Sequence, residues 1–147
     1  MERVNDEVNF ADTGKLSLEK LFEIQGTIKL PVLIFEKDGI IEVQSIDTSV
    51  EEDVEKLHVR VLHTIAELIR KIDPPELFVG YEGFYLMQEA EKAVRVLVGI
   101  LYADDVEQVW LAQTHGREVG EWQDVSDNPN RFGFEGLWQN AKAYARN

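Results

Sequence analysis

Residues 49–75 read SVEEDVEKLHVRVLHTIAELIRKIDPP, and this stretch decides the fold. Val50, Val54, Leu57, Val61, Ile65, Leu68 and Ile72 recur every three or four residues, so a helix gathers them on one face. Ser49 and Glu52 have capping-box spacing, and Glu51, Glu52 and Asp53 set negative charge at the positive end of the helix dipole. Arg70 and Lys71 complement the opposite end, and Pro74-Pro75 stop the chain from continuing as helix. The spacing predicts one long helix over 49–72. A helix with a single apolar stripe must bury it against another layer.

The flanking sequence supplies a sheet for that purpose. Pro31 opens Val32-Leu33-Ile34-Phe35-Glu36, Lys37-Asp38-Gly39 follows, and residues 40–46 form a second β-rich run. An Asp-Gly pair between such runs predicts a hairpin, because a type I′ turn needs positive φ at both central residues. Upstream, Ser17 precedes Leu18, Leu21 and Phe22 at helical spacing, which predicts a short helix capped by Ser17 and ended by Gly26. The first 15 residues are polar and are expected to be loose.

Beyond the long helix, Leu77-Phe78-Val79 predicts a short strand leading into Tyr81–Tyr85, and residues 87–91 fit either helix or strand. Ala93–Ala103 is apolar on both faces, as a central strand covered on both sides would be. Asp104-Asp105 and His115-Gly116 mark turns around strands at 109–112 and 119–122, which completes an antiparallel meander. After the Asn128-Pro129-Asn130 loop, Phe134, Leu137, Trp138, Ala141 and Ala145 form the inward stripe of a helix over 133–146. The expected fold class is α+β: an N-terminal hairpin and a C-terminal meander, mainly antiparallel, with the 49–72 and 133–146 helices, in a single domain over 1–147.

Charge narrows the function classes. The chain carries 28 acidic and 15 basic residues, a net charge of −13. Residues 76–130 hold 11 acids against Lys92, Arg95 and Arg117, a local sum of −8. A field of this sign repels nucleic acid and anionic membrane and attracts basic partners. The N-terminus is acidic, unlike a secretory signal, and the longest apolar run, Val96–Tyr102, is far short of the roughly 20 residues that span a bilayer. With no cysteine, disulfides, thiolate metal sites and a cysteine nucleophile are excluded. A cytoplasmic location is expected.

Chemistry-bearing motifs are sparse. His58 and His63 lie five apart on the predicted helix and point to different sides, whereas paired ligands sit at i and i+4. His115 falls in a predicted turn without a partner in sequence. No nucleophile elbow, dinucleotide fingerprint or paired-histidine zinc motif occurs, and Ser17 and Ser49 read as helix caps. No catalytic residue, metal site or cofactor is expected. Asp104, Asp105 and Glu107 form the densest carboxylate cluster, but they lack the spacing and glycine of a calcium loop and read as a solvated turn.

What remains is aromatic residues interleaved with acids. Glu82, Asp104, Asp105, Glu107, Trp110 and Trp122 are the candidate partner-binding residues, with carboxylates steering and an aromatic ring anchoring. The expected function is an acidic interaction module acting on a basic protein partner, such as an inhibitor, immunity protein or nucleic-acid mimic. Two rivals stand beside it. One is a small-molecule-binding domain or enzyme with a pocket between sheet and long helix, and the other a subunit of a larger assembly, including a homodimer.

Overall fold

A computed structural model describes residues 9–28, 30–46, 54–87, 92–104, 106–127 and 136–146. The elements run α1 (Phe10–Gln25), β1 (Val32–Lys37), β2 (Ile40–Ser45), α2 (Val54–Lys71), β3 (Glu76–Met87), β4 (Lys92–Ala103), β5 (Val106–His115), β6 (Glu118–Val119), β7 (Gln123–Asp124) and α3 (Leu137–Ala145). The strands form one antiparallel sheet in the order β2-β1-β3-β4-β5-β6, with β7 also pairing to β5. The α+β class with a sheet meander is therefore the observed architecture. The expected cap at Ser49, residues 88–91, the 128–130 loop and positions 133–135 of the last helix lie outside the described residues.

Side-chain alternation divides the sheet into two buried faces. Leu33, Phe35, Val79, Val98, Ile100 and Leu111 point to the side covered by α2 and α3, where Val61, Ile65, Leu68, Leu137 and Trp138 close the core. Val32, Ile34, Phe78, Leu97, Leu101 and Trp110 point to the opposite side, under Leu18 and Phe22 of α1. Covering on both faces is why β1 and β4 read as near-continuous apolar runs.

The local signals act as their chemistry requires. Asp38 and Gly39 have φ of 53° and 80°, which is the I′ turn that joins β1 to β2. At the end of α2 the Ile72 and Asp73 amides both donate to the Leu68 carbonyl. Asp73 takes a left-handed φ of 50° before the prolines. No helix among the described residues is long and apolar enough to cross a membrane.

The start of α1 corrects the expectation for the N-terminus. Residues 10–15, expected to be loose, are its first turns, and Ser17 lies within the helix. The cap is Asn9, whose Oδ1 accepts from the Asp12 amide at 2.8 Å. Gly14 sits over the Phe78 ring, and Gly99 of β4 lies against the same ring from the sheet; a methyl at either would collide with it. Helix and sheet approach this closely because both positions lack a Cβ. The 119–122 strand is also corrected: pairing covers 118–119 and 123–124, and between them the Gly120 amide donates to the Gln113 carbonyl of β5.

Two arginines close helix ends from a distance. The last turn of α1 holds no basic residue. Instead Arg117, on the β5–β6 turn, donates through Nη1 to the Glu23 and Ile24 carbonyls at 3.2 Å each. Arg70 of α2 donates to the Tyr144 and Ala145 carbonyls of α3 at 3.1 and 3.3 Å. Cations there answer the negative end of each helix dipole.

Candidate interaction surface

Of the six residues singled out from the sequence, the five that are described do not share a surface. Glu82, Trp110 and Trp122 belong to the α1 side of the molecule, whereas Glu107 contacts the start of α3. Glu82 has a side chain only 9% exposed. Its carboxylate accepts from Thr27 Oγ1 at 2.7 Å and from the Ile28 amide at 2.9 Å, and its other oxygen pairs with Arg95. Burial alone would raise its pKa, but the Ile28 amide, the Thr27 hydroxyl and Arg95 together hold it below the usual carboxylate range. This carboxylate ties the segment after α1 to the sheet.

The tryptophans are engaged as well. Trp110 is 8% exposed, 6.3 Å from the Phe78 ring, with the Lys15 ammonium 4.2 Å from its own centroid. Trp122 is half-buried and donates through Nε1 to Glu19 at 2.7 Å. Glu107 accepts from the Gly136 amide at 3.0 Å, beside the N-terminus of α3. Asp104 is exposed at a left-handed turn position with φ of 51°, and its carbonyl accepts from Gln139. Asp105 lies outside the described residues.

A different surface emerges at the sheet edge. β2 is the terminal strand, and all six of its residues are exposed. Ile40, Ile41 and Val43 are 64%, 36% and 47% exposed, although β-branched side chains of this kind normally fill a sheet interior. The register shows which backbone groups face outward. A two-residue turn makes Lys37–Ile40 a hydrogen-bonded pair, and alternation then assigns the same to Phe35–Glu42 and Leu33–Gln44. The Ile46 amide, donating to the Pro31 carbonyl at 3.4 Å, continues that pattern. The N–H and C=O groups of Ile41, Val43 and Ser45 therefore point away from the sheet.

Edge strands are usually blunted by lysine, proline, a bulge or extreme shortness. The opposite edge follows this rule, because β6 and β7 are two residues each. β2 has no lysine, proline or bulge, runs for six residues, and carries Glu42 as its one charged side chain. Its hairpin exposes Glu36, Asp38 and Glu42 against Lys37. A groove of about 220 Å³ adjoins its Ser45 end, with Ile28, Val32 and Ile46 in its lining.

One further concavity, of about 420 Å³, lies where β5 meets the β6–β7 segment. Val96, Leu111 and Val125 supply its apolar lining, and Gln113, His115 and Glu121 are among its polar residues. Among the described residues, its lining contains no hydroxyl, thiol or amine nucleophile. Among the described residues, no group of three His, Asp or Glu side chains is placed to hold a metal ion. Comparison with family models, curated proteins and solved structures finds no match.

Proposed function

We propose that the protein is an acidic interaction module, and that a basic protein partner docks on the outer edge of β2 by adding a strand to the sheet. The observation that carries this reading is the combination at β2 of outward backbone groups with exposed Ile40, Ile41 and Val43. Main-chain hydrogen bonds to the added strand would supply affinity, and alternate side chains would supply specificity. The net charge of −13 would steer a basic partner toward the complex, as expected of an inhibitor or immunity protein that occupies a positively charged groove. Carboxylate steering then belongs to exposed acids such as Glu36, Asp38 and Glu42 rather than to Glu82, whose oxygens are already engaged.

Site-specific photo-crosslinking in expressing cells tests the reading. A photoreactive residue at position 41 or 43 should give adducts with other polypeptides, while the same residue at exposed Val59 of α2 or Val106 of β5 should not. Equal adduct yield at all four positions would refute β2 as the docking edge.

A further inference from the structure

We propose that the segment received by β2 is an extended chain in which apolar residues alternate with lysine or arginine. The proposal rests on the reading of β2 as a docking edge and assigns the chemistry of its occupant. Along β2, Ile41, Val43 and Ser45 point to the α1 side of the sheet, and Ile40, Glu42 and Gln44 point to the α2 side. A strand laid against this edge meets exposed Ile41 and Val43 with one set of alternate residues, which must be apolar to bury them. Near Ser45 that row of side chains reaches the 220 Å³ groove, where Ile28, Val32 and Ile46 are each no more than 3% exposed.

The other set of alternate residues faces Glu42, flanked on the same side by exposed Ile40 and by Gln44, with Asp38 at the turn beyond Ile40. A cation opposite Glu42 is favourable, and a carboxylate there is repelled. Register is fixed by the same alternation, because a slip of one residue would move the apolar row to the charged side. A second copy of the chain fits less well. It would bring another −13 to the contact.

The experiment uses fluorescent peptides of roughly nine residues, within ordinary strand length, that alternate Val with Lys, Gln or Glu. Anisotropy is read at about 0.05 M and about 0.5 M salt, with the wild-type protein and with Val43→Pro, and sedimentation velocity is run on each protein alone. The Val/Lys peptide should bind at least roughly tenfold more tightly than Val/Glu at low salt, with Val/Gln between them, and high salt should narrow the gap. Val43→Pro, which removes an outward donor, should keep the far-UV spectrum and weaken Val/Lys binding at least roughly tenfold. Equal binding of the three peptides, abolished by Val43→Pro, would overturn the basic chemistry and leave the docking edge standing. Binding of none, or Val/Lys binding unaffected by Val43→Pro, would overturn the docking edge itself. A wild-type dimer that Val43→Pro converts to monomer would make the occupant a second copy and also overturn the proposal.

Discussion

Proline substituted at two neighbouring positions of β2 should have unequal consequences for stability. Glu42 and Phe35 form a hydrogen-bonded pair of the β1–β2 ladder, so Glu42→Pro deletes an inward donor and sets a ring against β1. The expected cost is about 1–3 kcal/mol, from the Phe35 carbonyl left without its donor. The Val43 amide faces outward, where proline is tolerated, and its side chain is already 47% exposed. Lost strand propensity there is about 1 kcal/mol at most, and the restricted unfolded chain returns roughly 0.4–1 kcal/mol. Both residues that would precede the new prolines, Ile41 and Glu42, are already extended, so neither substitution strains its neighbour. The two variants should therefore differ by about 2 kcal/mol, which is on the order of 1 M in urea midpoint for a chain of this size. Urea unfolding followed by circular dichroism reads the difference. Equal losses, or a larger loss for Val43→Pro, would refute the assignment of outward groups and remove the free edge from the account.

Three further outcomes follow from packing and charge. Gly14→Ala should lower stability, because overpacking the Phe78 ring costs about 1–3 kcal/mol and outweighs roughly 1 kcal/mol of gained helix propensity; a rise in denaturation midpoint would show that α1 is not seated on that ring. Glu82→Gln should cost about 1–3 kcal/mol near neutrality. Since its folded-state pKa is depressed, the stability Glu82 contributes is present above the unfolded value of about 4.3 and is lost as pH falls through the folded one. Wild type should thus lose more stability than the variant on acidification, and parallel stability–pH curves would contradict the clasp. Arg70→Ala should weaken α3 by about 1 kcal/mol, visible as faster amide exchange in that helix, and unchanged exchange would show that the arginine does not cap it.

Several elements were legible because their causes are local. The α2 stripe and the Asp38-Gly39 turn each rest on residues within a few positions of one another. The length of β3 was harder to read, since Gly80 and Gly83 interrupt its β-rich pattern. Gly80 is explained only by tertiary packing: a Cβ there would stand 2.7 Å from the Leu18 side chain. The first turns of α1 were read as loose from their polar composition, and the place of Gly14 within them is explained only by the Phe78 ring it sits against. The candidate site failed to assemble for a related reason. Glu82 finds its partners 54 and 55 residues away, and Trp122 finds Glu19 across 103 residues, separations with no signature in a one-dimensional pattern. Whether a β-rich run lies at the centre or the edge of a sheet is likewise a matter of strand order. Ile40-Ile41-Glu42-Val43 resembles any half-buried strand until β1 is seen to be its one pairing partner among the described residues.

Amide hydrogen exchange along β2, read by NMR in the free protein and again with saturating Val/Lys peptide, tests the central claim most directly. In the free protein the Ile40, Glu42 and Gln44 amides should exchange slowly, and those of Ile41, Val43 and Ser45 should exchange as freely as exposed groups do. With peptide bound, the latter three should become protected while exchange in α2 stays unchanged, because an added strand pairs only the outer edge. Protection of Ile41, Val43 and Ser45 before any peptide is present, or continued free exchange while the peptide is bound, would contradict strand addition at β2.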